Sequence, residues 1–227
     1  MKRIVAVVSG GLDSVVLAHH LRRQGHQLHL LSIDYGQRHR NEHDYAALAA
    51  RRTGSTHHVV DVRNLATVLP GYSLTDRQVD VPDRSYTETG SVNVVPNRNV
   101  ILFAIAFAHA AAVKADAVAV GAVAGDDATA PDSSAAFLDA FNTMERIATA
   151  GLAPPSLVVE APFITMPKRE VILLGQELGV DFTETWSCFK GRTKHCGVCA
   201  ACQDRRKEFA AAGVEDPTDY SKEQERC

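Results

Sequence analysis

The chain has 227 residues, 45% of them apolar and 22% charged, which is enough to bury a full core and excludes a disordered chain. Its formal charge of -3, from 24 Lys plus Arg against 27 Asp plus Glu, supplies no net field to gather nucleic acid, so a small-molecule substrate is favoured. The apolar run Ile4 to Val8 is short and leads directly into a glycine turn, so a cytoplasmic protein with neither signal peptide nor membrane span is expected.

The first predicted strand, Arg3–Val8, runs into Ser9-Gly10-Gly11-Leu12-Asp13-Ser14 and then a helix over Asp13–Gln24. Strand, glycine turn and helix start together aim backbone N–H groups and the positive end of a helix dipole at an anion. Gly10 and Gly11 permit the turn, and the Ser9 and Ser14 hydroxyls add donors. A Walker loop would carry GxxxxGK[ST] and a dinucleotide fold GxGxxG; this loop has neither, and it suits a pyrophosphate.

A second strand, Gln27–Asp34, ends on an acid placed to meet the ribose or adenine of a nucleotide held by the glycine loop. A helix over Arg38–Thr53 and a strand over His57–Asp61 follow, with Gly25 and Gly54 where left-handed caps are wanted. His39, His43, His57 and His58 show no ligand-like spacing and read as surface or core residues. Pro70 to Val95, punctuated by Pro and Gly, is a loop long enough to be functional or mobile. Arg98 and Asn99 then open a helix to Lys114 after Pro96, in a position for anion contacts or for ordinary capping. A strand over Ala117–Ala122, a loop GDDATAPDSS over 125–134, a helix over Ser133–Ala150 with Ser133 as its cap, and a strand over Leu157–Ala161 complete the pattern.

Strands alternating with helices predict an α/β fold, a doubly wound and mostly parallel five-stranded sheet with helices on both faces. From Met166 the pattern changes to a helix over Lys168–Leu178 and a cysteine segment. Residues 1–165 therefore form the nucleotide-binding domain and 166–227 a C-terminal helical appendage. Four of the five cysteines, Cys188, Cys196, Cys199 and Cys202, lie within that segment and supply four soft thiolates. Such a set closes a tetrahedral structural zinc site, with an iron–sulfur cluster as the competing occupant. Cys227 stands apart as a free surface thiol.

SGGLDS resembles the SGGxDS signature of the PP-loop ATP pyrophosphatases, which cleave ATP between the α and β phosphates and leave an adenylated substrate. The missing Lys then has a reason: the loop grips the departing pyrophosphate, and no γ phosphate is transferred. With DYGQRHR (34–40), VPNRNVILF (95–103) and CFKGRTKHCGVCAAC (188–202), the chain resembles the 7-cyano-7-deazaguanine synthase family over nearly its whole length. The resemblance implies ATP and Mg²⁺ at Val8, Ser9, Gly10, Gly11, Leu12, Asp13, Ser14 and Asp34, with Asp13 holding the metal ion. It implies a deazaguanine site at Tyr35, Gln37, Arg38, Arg98, Asn99, Asp126 and Asp132, with Asp13, Arg98 and Asp126 at the chemistry. It also implies Zn²⁺ on the four cysteines, ammonia as co-substrate and a homodimer.

One segment departs from the family. Where it has a text close to VDYSGYPDCR, this chain has GDDATAPDSS: Asp126, Pro131 and Asp132 are kept, aromatic positions become Asp127 and Ala130, and Cys-Arg becomes Ser133-Ser134. A lost Arg removes a fork that could hold a carboxylate. Asp126 and Asp132 could bind the N–H edge of the base, Mg²⁺, or neither. The departure leaves room for a paralogue that joins a deazaguanine acid to another amine, such as a protein acceptor. A tRNA thiolation enzyme is a third reading, disfavoured by the acidic balance.

Overall fold

The computed structural model describes residues 1–222; Cys227 lies outside the described residues. In chain order the elements are β1 (Arg3–Val7), α1 (Leu12–Arg23), β2 (Gln27–Asp34), α2 (Glu42–Thr53), β3 (Thr56–Asp61), α3 (Tyr86–Thr89), α4 (Arg98–Ala112), β4 (Ala117–Ala119), α5 (Ala135–Ala148), β5 (Val159–Glu160), α6 (Lys168–Glu177) and α7 (Ala200–Ala212). The strands form one five-stranded sheet in the order β3-β2-β1-β4-β5, and every pair is parallel. The predicted fold class is the observed one.

Alternation along β1 explains the two-faced burial. Ile4, Ala6 and Val8 point into a core shared with α1, α2 and α6, while Val5 points into a second core with Phe103, Phe107, Leu138 and Phe141 of α4 and α5. The chain winds one way from β1 to β3 and then crosses back to β4. That reversal opens a crevice beyond the carboxyl ends of β1 and β4, where open α/β sheets bind ligands.

Three elements differ from expectation for local reasons. Helix α2 begins at Glu42, four residues after the predicted start, because residues 38–41 form a turn around the side chain of Arg38. That guanidinium donates to the carbonyls of Ser73, Asp76 and Val79 and fastens the long loop to the sheet. Helix α5 is capped by Ser134, whose Oγ accepts from Phe137 N at 3.1 Å, whereas the Ser133 hydroxyl accepts from Asn99 Nδ2 at 3.0 Å. Helix α7 starts inside the cysteine segment, with Cys199 at its N-cap, a place where metal-ligand spacing masks helical periodicity. The long loop is itself structured: it carries α3, which a Ser85–Glu88 capping box starts. Among the described residues no single helix is long and apolar enough to cross a membrane.

Candidate active site

A cavity of about 360 Å³ occupies the crevice at the carboxyl ends of β1 and β4. Its floor is the glycine loop. Gly11 caps α1 without a side-chain hydrogen bond, so the first-turn N–H groups are left to a ligand. Ser9 Oγ accepts from Gly11 N at 3.1 Å and Ser14 Oγ donates to Gly11 O at 2.9 Å, which stiffens the turn. Ser9, Gly11, Leu12, Asp13 and Ser14 line the cavity, with Val8 at its edge.

Gly10 does a different job. At φ +95 it lies so close to α2 that a Cβ would sit 2.1 Å from the Glu42 carbonyl oxygen, and its own carbonyl accepts from Trp186 N at 2.8 Å. Gly10→Ala must therefore strain its backbone and push α2 away. We expect at least about 3 kcal/mol of lost stability, since backbone strain alone costs about 1–3 kcal/mol; a denaturant melt within 1 kcal/mol of wild type, a margin of roughly one surface substitution, would refute it.

One end of the cavity is built of ionic groups from four remote segments. Lys168, the first residue of α6, places Nζ 2.7 Å from Asp204 Oδ2 on α7 and 3.7 Å from Asp13 Oδ2 on α1. Burial alone would lower the ammonium's pKa, but Asp13, Asp204 and Asp126 reverse the effect and raise it. Burial pushes the Asp13 carboxyl up to about 6 against the pull of Lys168, and pushes Asp126 up as well. Asp13 Oδ1 is buried and has no hydrogen-bond partner among the described residues. Three carboxylates, one with an orphaned oxygen, fit a hard divalent cation held by oxygen donors. Lys168 and Asp204 were not singled out in the sequence, which offers only Thr165-Met166-Pro167-Lys168 at a helix start as a signal.

The other end mixes buried polar and aromatic groups. Tyr35, Arg98, Asn99 and Asp132 lie in the wall. Burial pushes the Tyr35 hydroxyl up to about 12, against a hydrogen bond to Arg98. Asp132 Oδ2 accepts from Asn99 N at 3.0 Å and so caps α4 from outside the helix. Tyr86 of α3 and Phe189 of the cysteine segment join them, their ring centroids 6.2 Å apart. His39 and His43 also line the cavity, which their spacing in the sequence did not suggest.

Four expected ligand residues do not line the cavity: Gly10, packed on α2 as described above, and Asp34, Gln37 and Arg38. The Asp34 carboxylate accepts from Arg40 Nε at 2.8 Å and from Gly36 N at 3.1 Å, behind the wall. Gln37 is fully buried, accepting from Tyr35 N and donating to Ile33 O and Glu42 Oε1. Arg38 holds the long loop, as described above.

The four cysteine thiols are buried and lie within 4.8 Å of one another. Cys196 N, Val198 N and Cys199 N donate to cluster sulfurs at 3.3–3.5 Å, an arrangement that favours thiolates over thiols. The donor set therefore fits a metal ion. The segment is tied into the site at several points. Gly191, at φ +61, is pressed against the backbone of Arg38 and His39, Lys190 pairs with Asp83 at 2.5 Å, and Trp186 Nε1 donates to Cys188 O.

Comparison with known proteins follows the same lines. The chain matches the family described as Queuosine biosynthesis protein QueC over residues 3–213. The 7-cyano-7-deazaguanine synthase of Allorhizobium ampelinum is 48% identical over 219 residues, 96% of this chain and 92% of its own. That of Rhizobium rhizogenes is 50% identical over 221 residues, covering 97% and 92%. Among solved structures, the U34-tRNA thiolase NcsA from Methanococcus maripaludis with its [4Fe-4S] cluster aligns with a TM-score of 0.50 at 16% identity, over 92% of this chain and 67% of its own. A 4-thiouridine synthetase–RNA complex with bound ATP aligns at 0.51 and 15%, over 93% and 50%. At such low identity these two share the fold alone. The relatives near half identity over almost the full length go further, and the chain belongs to the QueC family.

Proposed function

We propose that this ATP-using enzyme converts 7-carboxy-7-deazaguanine, through the amide, to 7-cyano-7-deazaguanine, releasing AMP and pyrophosphate at each activation. The observation that carries the reading is the cavity itself, which joins a phosphate-binding turn and acid–lysine cluster to a polar, aromatic pocket in a chain of this family. The substrate carboxylate attacks the α phosphorus of ATP and pyrophosphate leaves. Ammonia then attacks the acyl carbon and AMP leaves, giving the amide. The amide oxygen attacks the α phosphorus of a second ATP, and loss of AMP with a proton gives the nitrile. Both activations begin with an oxygen meeting the same phosphorus, so one site serves both.

In this scheme the open first turn of α1 and Lys168 hold the leaving pyrophosphate. Asp13, Asp126 and Asp204 would hold Mg²⁺, which when bound supplies charge neutralisation at the phosphates. Arg98, on the wall beside Tyr35, orients the substrate carboxylate through its guanidinium fork. Zn²⁺ on Cys188, Cys196, Cys199 and Cys202 would be structural, because four thiolates leave no open position. The homodimer implied by family resemblance belongs to the same reading.

The test supplies 7-carboxy-7-deazaguanine, ATP, Mg²⁺ and ammonium and follows products by mass spectrometry. Nitrile and two AMP per nitrile are expected from the stoichiometry above. Absence of AMP would overturn the reading. AMP without nitrile, with a protein gaining the mass of the base, would point to an amine acceptor on a protein.

A further inference from the structure

Glu42 and His39 stand in the cavity wall, and the scheme above leaves both without a role. Glu42 is the first residue of α2, and burial pushes its carboxyl up to about 8 against the hydrogen bond from Gln37, so its ionised form calls for further N–H donors. One oxygen accepts from Gln37 Nε2 at 2.8 Å; the other faces His39 Nε2 at 3.5 Å. Burial holds His39 down to about 3, so the imidazole is neutral and brings no charge to the pair. His39 Nδ1 is buried and has no hydrogen-bond partner among the described residues. A buried carboxyl facing a neutral ring and an orphaned ring nitrogen thus share one wall of a ligand cavity, a costly arrangement unless a ligand completes it.

The surroundings indicate what kind of ligand. The His39 and Phe189 rings lie 5.5 Å apart, and Phe189 meets Tyr86 edge-on, so aromatic surface for a flat heterocycle borders the carboxyl. Gln37 is held by hydrogen bonds to Tyr35, Ile33, Glu42 and His43, and Gly10 packs on the Glu42 backbone, so the carboxyl is held in place. A rigid acid beside an aromatic face calls for a planar ligand with two adjacent N–H donors.

We propose that Glu42 is the residue that selects the base, its carboxylate accepting from the ring N–H and the exocyclic amine of the pyrimidinone edge. This rests on the reading of the substrate as a deazaguanine. The two donors sit on neighbouring atoms, and their spacing matches the two oxygens of one carboxylate. An adenine offers an acceptor where the ring N–H would be, so the same group rejects the adenine of ATP from this half of the cavity. Glu42 orients and selects; it does not touch the reacting carbon.

The test compares the full-length wild type and Glu42→Gln on 7-carboxy-7-deazaguanine and on its analogue lacking the 2-amino group. In the wild type, loss of the amine should raise KM for the base by roughly 10- to 100-fold, the discrimination expected of a paired contact. In Glu42→Gln the two compounds should differ by less than about threefold, with KM for ATP within about twofold of wild type, because one contact and not the ATP site is lost. Equal discrimination by both proteins, or a parallel rise in KM for ATP, would overturn the proposal. Should Glu42→Gln fail to fold, Glu42→Asp serves with the same pair of compounds, since it keeps the charge and shortens the reach. A wild type that turns over neither compound would overturn the parent reading together with this one.

Discussion

Lys168→Met will slow AMP formation about 10²- to 10³-fold, the range seen when one preorganised donor to a developing charge is removed. The ammonium lies within reach of Asp204 and Asp13, and three carboxylates hold it charged while burial opposes them. It is thus a fixed cation at the end of the cavity where the glycine loop opens, suited to the charge that would develop on pyrophosphate in the proposed reaction. Its loss also leaves the acids uncompensated, at a cost of about 3 kcal/mol by analogy with buried pairs broken from one side. Adding Asp204→Asn to Lys168→Met should recover stability but no activity, which separates the two effects. The acid limb supplies another check. Asp13 must be ionised to take a cation, so activity should rise with pH through about 6 and level above it. Because Lys168 pulls the Asp13 carboxyl down, Lys168→Met should move that limb to higher pH. An unmoved limb with full activity would remove Lys168 from the site.

Removing the metal proposed for the cysteine cluster will abolish activity, although no cysteine is expected to touch substrate. Helix α7 carries Cys199 at its start, Cys202 in its first turn and Asp204 two residues on, beside Lys168. The helix that carries two of the four thiols therefore also supplies an acid at the lysine end of the cavity. Arg205, buried on the same helix, bonds Thr185, Phe182 and Asp216 and draws the flanking chain onto it. Structural zinc contributes about 10–16 kcal/mol in small zinc-dependent folds. If a third of that is felt here, Tm should fall by roughly 10 °C. Trp186, the single tryptophan, packs against the cluster and should report the change by fluorescence. Elemental analysis should give one zinc per chain; a brown protein would assign iron and sulfur instead. A stripped protein that keeps its Trp186 signal and its turnover would contradict the arrangement.

The sheet and its motifs were legible because β1 and β2 read as short apolar runs of a strand buried on both faces, and because the glycine loop sits between a clear strand and a clear helix. The catalytic end was less so. Lys168, Asp204 and Tyr86 come from three segments that meet only in space, and a lone Lys at a helix start has many ordinary uses. Polar residues near a motif were equally ambiguous in the other direction. Asp34, Gln37 and Arg38 share the DYGQRHR segment, yet their hydrogen bonds fix a strand end, a helix start and a loop. Ser133 and Ser134 are adjacent, and only the path of the chain decides which caps α5 and which meets Asn99. Glu42 falls inside the helix expected over Arg38–Thr53 and drew no reading from the sequence; only its burial marks it out.

The contact between Trp186 N and the Gly10 carbonyl has a consequence for how the protein is made. The glycine turn is made before Lys168, Trp186 and Asp204, which complete its end of the cavity. Synthesis of a domain proceeds from the N-terminus, and folding follows it. A nascent chain thus exposes the glycine turn, and the site proposed around it stays incomplete, until α7 has emerged. Truncation near the C-terminus would accordingly yield a chain whose sheet can form while the enzyme remains unfinished.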